Sequence, residues 1–184
     1  MLRSIRVALV CLGATVALAT AQGSLSSPYR EQQATAIRGL TATEIEALRA
    51  GHGMGLARPA ELNGYPGPRH VLDAVAAGHM HVTPEQRSAV QQVFDRMALA
   101  AKRLGEQILG EEQALEAAFR AGTISPTVLQ EHVSRLTTLW GELRLVHLRA
   151  HLETHALLTP HQLQRYNAVR GYTPHGTDQE QHTH

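Results

Sequence analysis

The chain has 184 residues, and its 17 Lys and Arg residues nearly balance 16 Asp and Glu residues, for a formal net charge of +1. A chain without a basic excess lacks the charge that neutralises phosphates, which argues against nucleic acid as a partner. Aromatic residues make up only 4% of the chain, and this composition favours an aliphatic helical bundle over a β-sandwich.

Residues 1–21 have the features of a secretory signal peptide. Arg3 and Arg6 precede a short apolar run that ends in small residues at 19–21, so cleavage is expected before Gln22. The run is too short for a comfortable membrane span, and an uncleaved anchor is the alternative. We therefore expect an exported protein with no membrane span after cleavage.

Removal of this segment changes the composition of the remaining chain. It takes away two basic residues and no acidic one, which leaves 15 against 16 and a formal charge of −1. It also takes away Cys11, the single cysteine, so the exported chain must be stabilised by its core and not by disulfides. The 163 residues that remain of the 184 correspond to one domain.

The first part of the exported chain is predicted to contain a leader and two short helices. Residues 22–40 are polar and small, and are expected to be flexible. A capping pattern at Thr41 begins a short helix, which ends at Gly51. After a stretch rich in turn formers, a second short helix begins at Pro68 and ends at Gly78.

Two long helical segments follow, on either side of a turn at 121–126. Apolar residues recur in both at spacings of three and four, which is the pattern of a heptad seam. The second segment can therefore fold back on the first as an antiparallel hairpin, with arms over 84–121 and 126–157. The seam residues are Val90, Phe94, Met97, Ala101, Leu104, Ile108, Leu115 and Ala118 in the first arm, and Leu129, Val133, Leu136, Trp140, Leu143 and Ala150 in the second.

Each of the last three helices begins with the same signal. A hydroxyl residue followed by proline stands at Thr83, Ser125 and Thr159, which supplies an N-cap and a proline at the first helical position. No stretch has a good strand pattern, so the predicted fold class is all-α, a long antiparallel helical hairpin with short flanking helices. The expected organisation is a signal peptide at 1–21, a flexible leader at 22–40, a helical-hairpin domain at 41–171 and a disordered, histidine-containing tail at 172–184.

Two of these helix starts carry a resemblance to a known family. They are Val82-Thr83-Pro84-Glu85-Gln86, with Val in the Leu position, and Leu158-Thr159-Pro160-His161-Gln162. With the long hairpin between them, they resemble the LTxxQ group of exported helical proteins, which includes the Spy/CpxP periplasmic chaperones and the CnrX-type heavy-metal sensors. The stretch 61–68 and the following His70-Val71-Leu72 are similar to the sensor subset. The resemblance covers approximately residues 40–171.

The resemblance implies a four- or five-helix Spy/CpxP-like arrangement that pairs into a homodimer in the periplasm. It implies a non-catalytic role with two alternatives: binding a divalent metal in heavy-metal sensing or resistance, or holding unfolded envelope proteins as an ATP-independent chaperone. The sensing role would involve an inner-membrane signalling partner. CnrX-type sensors hold metal with a His-x-x-x-His pair, a carboxylate and a His-x-x-x-Met pair. Here His147 and His151 resemble the last pair with His in place of Met, and the earlier helices contain no second His-x-x-x-His.

Histidine is the most conspicuous residue type, since all twelve histidines follow residue 21. His147, His151 and His155 are four residues apart, so they lie along one face of the second long helix. Two imidazoles at this spacing can bind one Ni, Co, Zn or Cu ion. The alternative is that they are ordinary polar residues beside the seam. We expect His147 to point inward and His155 outward, so His147 and His151 are the stronger pair.

The register of an antiparallel hairpin gives further candidates. Facing residue numbers should add to roughly 247, because both arms rise equally per residue. His151 should then face Met97, a soft third ligand, with Asp95 as a harder one. The same register predicts a structural ion pair on the seam among Glu111, Glu112, His132 and Arg135.

A second candidate metal site is the connection His79-Met80-His81. With His52 and Met54 nearby in sequence, this loop could bind Cu(I) or Cu(II), because the thioether is a soft ligand. The alternative is a polar loop between two helices. The tail histidines, His175, His182 and His184, could bind metal loosely.

The sequence does not predict an enzyme. The stretch His151-Leu152-Glu153-Thr154-His155 superficially resembles a zinc-protease helix, but the glutamate is displaced by one residue, about 100° around the helix. No nucleophile elbow, paired catalytic carboxylates or cofactor loop is present.

The chaperone alternative depends on the surface of the second arm and the last helix. Between Val133 and Gly171, five arginines stand against Glu142 and Glu153, a local excess of three positive charges. Together with exposed leucines such as Leu145 and Leu148 they could capture unfolded chains, and a plain solvated face is the other interpretation. The arginines are Arg135, Arg144, Arg149, Arg165 and Arg170.

Overall fold

The computed structural model describes residues 27–35 and 37–172, and these residues form an all-helical structure without a β-strand. The predicted fold class is therefore confirmed. The described residues before Glu31 include a turn at 28–29. A short 3-10 helix at Arg30–Ala34 comes next in the chain. The signal peptide predicted at 1–21 and the tail from 173 onward lie outside the described residues.

Six α-helices follow in the part of the chain after Glu31. Two of them are long, and they are joined by the turn that the sequence predicts. The helices are α1 (Ala42–Ala50), α2 (Arg58–Glu61), α3 (Pro68–Ala76), α4 (Pro84–Arg120), α5 (Pro126–Leu157) and α6 (Pro160–Arg170). The single turn of α2 was not predicted; it lies in and just before the stretch that the sequence analysis assigned to turns.

The predicted helix starts are confirmed by their side-chain caps. Thr83 and Thr159 accept hydrogen bonds from the backbone N–H groups of Gln86 and Gln162, and each Gln side chain accepts one in return from the N-cap backbone. Thr41 and Glu44 form the same reciprocal arrangement at α1. Such capping boxes satisfy N–H groups that a helix start leaves without intrahelical partners.

The two LTxxQ-like motifs also bond to each other. The Gln86 Nε2 donates to Gln162 Oε1 at 3.0 Å, and Gln162 Nε2 donates to Gln86 Oε1 at 2.9 Å. Each amide further donates to a carbonyl oxygen, Gln86 to Leu157 and Gln162 to His81. The motifs are therefore more than two independent helix starts, because their glutamines join the starts of α4 and α6.

The long helices form the predicted antiparallel hairpin. The 37 residues of α4 span about 55 Å at 1.5 Å per residue, and α5 returns along it. The predicted register is confirmed at Glu111, whose Oε1 lies 2.5 Å from His132 Nδ1 and accepts from Arg135 Nε at 2.8 Å. Near the other end, Arg96 and Glu153 pair at 2.7 Å.

Buried apolar residues form two clusters along this hairpin. The first joins the middle of the hairpin to α1, and the second joins its open end to α3 and α6. The first consists of Ile37, Leu40, Ile45, Leu48, Ala101, Leu104, Ile108, Leu109, Leu136 and Leu143; the second of Val71, Ala74, Met80, Val90, Leu158 and Tyr166.

The seam prediction is wrong near the hairpin turn. Leu129 and Val133 continue the heptad spacing but are 38% and 48% exposed. The reason is that α1 covers α4 around Gly105, which meets Leu48, and this crossing lies away from the hairpin turn. Two helices alone bury only a narrow strip, and a wider apolar face needs a third element to cover it.

The domain also begins earlier than residue 41. Ile37 and Leu40, which the sequence analysis placed in the flexible leader, are 2% and 8% exposed and belong to the first cluster. Arg38 adds a backbone hydrogen bond to Glu116 at 2.9 Å. Two apolar residues within a polar stretch thus attach the end of the leader to α4.

No helix within the described residues combines the length and the apolar character that crossing a membrane would require.

Gly105 is expected to be essential for the crossing of α1 and α4. A Cβ at this position would lie 2.1 Å from the backbone oxygen of Leu48, so Gly105→Ala must push the helices apart. We expect this substitution to lower the free energy of unfolding by about 1–3 kcal/mol, as overpacking does, measured by urea denaturation.

Gly110→Ala is the matched control on the same helix. Its Cβ would meet nothing within 4 Å, so the better helix propensity of Ala should raise the free energy of unfolding by about 0.5–1 kcal/mol. Equal effects of the two substitutions would contradict the close approach at Gly105.

Candidate functional site

A cavity of about 540 Å³ lies beside the hairpin between the two apolar clusters. Its walls come from α4, α5, the loop after α1, α2 and the start of α3. His147, His151 and Met97 all line it, so the structure brings together three of the four residues of the first predicted metal site. His155 does not line it; its ring stacks on Tyr65, with centroids 4.4 Å apart.

His147 occupies a position that an apolar seam residue would normally fill. It follows Leu143 by one helical turn and is only 4% exposed, as its predicted inward orientation requires. Gly53, in the loop after α1, packs against the imidazole, because a Cβ there would lie 3.5 Å from Nδ1. The Nε2 atom is buried and has no hydrogen-bond partner among the described residues. A side chain that lines the cavity thus carries a buried nitrogen without a partner among the described residues.

His151 is 9% exposed and is oriented by a backbone carbonyl. Its Nδ1 lies 2.7 Å from the carbonyl oxygen of Tyr65, and since a carbonyl only accepts, Nδ1 carries the proton. In the neutral ring Nε2 is then the atom with a lone pair. Gly67 lies against this edge of the ring, because a Cβ there would be 3.0 Å from Nε2.

The turn-rich stretch after α2 holds these groups in place. Gly64 has a φ of 82°, a conformation that favours glycine, and it directs the chain past α5. Pro66 and Pro68 are fully buried on either side of Gly67. Turn-forming residues and the family resemblance mark this stretch in the sequence, but its place as a wall of the histidine site depends on a tertiary contact with α5 that no local pattern predicts.

Glu61 is a buried carboxylate at the edge of the cavity. Its Oε1 accepts hydrogen bonds from Tyr166 Oη at 2.5 Å and from Tyr172 Oη at 3.3 Å, and pairs with Arg170 Nε at 3.3 Å. Its Oε2 accepts from the Gly67 N–H at 3.2 Å. The end of α6 therefore contacts the same turn that orients His151.

These contacts strongly perturb Tyr166. The side chain is fully buried, and burial together with its hydrogen bond to Glu61 raises the pKa of the Tyr166 hydroxyl well above its usual value. The hydroxyl therefore stays protonated and remains a donor to the carboxylate.

Three further side chains at the cavity are His52, Met54 and His70. His70 is near the site but exposed, and its pKa is lowered by loss of hydration, and next by the charge of Arg170. No group of three His, Cys, Asp or Glu side chains within the described residues is arranged to hold a metal ion. Asp95, the harder ligand considered from the hairpin register, is exposed and accepts from Gln91 at 2.8 Å.

The structure does not bring the second predicted metal site together. Met80 is 1% exposed and belongs to the apolar cluster around Tyr166, whereas His79 and His81 are exposed. The backbone oxygens of His79 and His81 accept from Arg165 and Gln162 of α6. This connection thus serves as a contact between the two helix starts.

Comparisons with family models, with curated proteins and with solved structures found no match to this chain.

The burial of His147 predicts how the stability of the metal-free protein depends on pH. Burial lowers the pKa of His147 below 6.5, and the positive charge of His151 lowers it further. The unfolded chain then takes up a proton near 6.5 that the folded chain does not. Stability is therefore complete above this pH and falls below it, by up to about 1.4 kcal/mol per pH unit.

Urea denaturation from pH 7.5 down to pH 5.5, with a chelator present, measures this dependence. His147→Gln should flatten the curve, whereas His161→Gln, at an exposed position, serves as the control for the substitution itself. A His147→Gln protein with the full wild-type pH dependence would show that another group causes it.

The hydrogen bond from Tyr166 to Glu61 should be worth more than the one from Tyr172. Tyr166→Phe removes a buried donor to a charged acceptor, and we expect a loss of about 1.5–3 kcal/mol in the free energy of unfolding. Tyr172→Phe removes the longer, partly buried bond and should cost less than half as much. Denaturant titration of both variants measures the difference, and equal losses would contradict it.

Proposed function

We propose that this chain is an exported, non-catalytic protein that binds a transition-metal ion in the cavity beside its hairpin and acts in heavy-metal sensing or resistance. The single observation that carries the proposal is the buried Nε2 of His147, which has no hydrogen-bond partner among the described residues and belongs to a side chain that lines the same cavity as His151.

The energetics of burial support a ligand at His147. Burying a polar atom without a partner costs about 1–3 kcal/mol, and a core position four residues after Leu143 would be more stable with an apolar side chain. A metal ion bound to Nε2 would offset this cost in the folded state. The residues present are therefore compatible with a bound metal ion. Because the ion would bind only the folded protein, its binding free energy would add to the stability of the hairpin.

The orientation of His151 supports the same proposal. Metal-binding histidines commonly donate their other ring N–H to a carbonyl or carboxylate, which fixes the tautomer and the direction of the lone pair. His151 donates Nδ1–H to the Tyr65 oxygen at 2.7 Å, and Glu61 Oε2 lies 3.7 Å from the same atom. Its Nε2 is thereby left to bind the ion.

The contacts of Glu61 suggest how metal binding could reach other parts of the molecule. Any movement of the His151 ring would act on the turn at Tyr65 and Gly67, and through Glu61 on Tyr166 and Arg170 of α6. In the proposed role, α6 and the chain that follows would report the bound metal to a signalling partner. This role is the one that the LTxxQ resemblance implies, and the expected export to the periplasm is compatible with it.

A chaperone is the second candidate, and the exposed leucines of α5 favour it. Leu145 and Leu152 are 44% and 56% exposed and flank the exposed Arg149. Three of the five arginines in this region already make contacts within the protein, however: Arg135 to Glu111, Arg165 to the His79 oxygen and Arg170 to Glu61. The positive surface for an unfolded client thus depends on two residues, Arg144 and Arg149.

Isothermal titration with Ni, Co, Zn and Cu tests the metal proposal. The protein should start at Gln22 and carry Asn at 175, 182 and 184, so that the tail histidines add no background. We expect His147→Ala/His151→Ala to weaken binding at least about 100-fold, or about 2.8 kcal/mol at 1.4 kcal/mol per decade.

Two matched variants serve as controls. His155→Ala removes the third histidine of the same helix, and His79→Ala/His81→Ala removes the two exposed histidines of the loop; both should bind like wild type. Unchanged binding in the His147/His151 variant would overturn the metal proposal. Suppression of client aggregation at stoichiometric ratio, lost in Leu145→Ser/Leu152→Ser, would instead support the chaperone.

A further inference from the structure

The proposed metal site contains sulfur donors as well as imidazoles. Apart from Met1, the chain has three methionines, and two of them, Met54 and Met97, line the same cavity as His147 and His151. Met80 is the third, and it is fully buried in the apolar cluster around Tyr166. The thioethers at the cavity come from two separate elements, α4 and the loop after α1.

Met54 has a backbone conformation that needs an explanation. Its φ is 43°, and it is the only non-glycine residue with a positive φ among the described residues. It stands between Gly53, which packs on His147, and Gly55, whose φ is 79°. A side chain in the left-handed region is strained, and such strain is often kept where function requires a particular side-chain placement. At 36% exposure, Met54 is the more exposed of the two methionines that line the cavity.

The carboxylate at the cavity is already engaged. Glu61 is the only Asp or Glu among the described residues that line it, and both of its oxygens accept hydrogen bonds. Oε1 accepts from Tyr166 and Tyr172, and Oε2 accepts from Gly67. Metal binding by Glu61 would compete with these bonds, and the two buried ones, from Tyr166 and Gly67, are each worth about 1 to 2 orders of magnitude in an equilibrium constant.

The fixed charges around the cavity do not favour a doubly charged cation. Arg58 lines it with its guanidinium near Gly55, and the charge of Glu61 is paired with Arg170 at 3.3 Å. A monovalent cation meets half the repulsion from such a site that a divalent cation meets.

We infer that the site selects a soft monovalent ion, Cu(I), which His147 Nε2, His151 Nε2 and the thioether sulfurs of Met97 and Met54 bind. This inference rests on the proposed function and names its metal. Thioether sulfur is a soft donor that favours Cu(I), and imidazole binds copper as well as Zn and Ni. Met97 completes the site from the hairpin side, and Met54 closes it from the solvent side.

Competition with a chromophoric Cu(I) chelator such as bicinchoninate, under anaerobic conditions, tests the inference. The protein is the form starting at Gln22 with Asn at the three tail positions. We expect wild type to bind Cu(I) more tightly than Zn, Ni or Co. Met54→Leu/Met97→Leu should weaken Cu(I) binding at least about 100-fold and change Zn binding less than threefold. X-ray absorption of the Cu(I) complex should show sulfur ligands that the double variant lacks.

Met80→Leu is the matched control, since it makes the same change in the core, away from the cavity, and should leave Cu(I) binding unchanged. Zn, Ni or Co binding as tight as Cu(I), or a thioether variant with wild-type Cu(I) affinity, would overturn the inference while the metal proposal stands. Metal binding that survives His147→Ala/His151→Ala would overturn both.

Discussion

The antiparallel packing of α4 on α5 is the constraint on which the rest of this structure depends. Its register brings Glu111 to His132 and Arg135 near one end and Arg96 to Glu153 near the other. Between these contacts the seam is apolar, except where His147 and His151 take the place of core residues. The register therefore decides that the two imidazoles meet the part of α4 that carries Met97, and not a fully apolar stretch.

Short elements that are far apart in the chain line the cavity beside His147 and His151, where the apolar seam is interrupted. The loop after α1 supplies Gly53 against one imidazole, and the turn before α3 supplies Gly67 against the other. A side chain at Gly67 would crowd the His151 ring, since its Cβ would lie 3.0 Å from Nε2, whereas a Cβ at Gly53 would make an ordinary contact with His147. Two apolar clusters pack along the hairpin, one joining it to α1 and the other joining it to α3 and α6.

Hydrogen bonds between distant segments connect this region to the end of the domain. Glu61 joins the turn at Gly67 to Tyr166 of α6, and the paired amides of Gln86 and Gln162 join the starts of α4 and α6. Buried polar networks of this kind specify one arrangement, because a displaced member leaves its partners without hydrogen bonds. The position of α6 is thus coupled to the geometry beside the histidines.

The sequence by itself determined five of the six described α-helices, the caps of the long helices and the register of the hairpin, because heptad spacing, N-cap residues and a constant rise per residue are local properties. It also determined that His147 points inward. Only the tertiary structure decided that Met80 belongs to the core while Met54 and Met97 stand at one cavity, that Ile37 and Leu40 are buried, and that Leu129 and Val133 are not. These outcomes depend on which segment covers which face of the hairpin. That is decided by packing between residues far apart in the chain, and the periodicity of one helix carries no information about it.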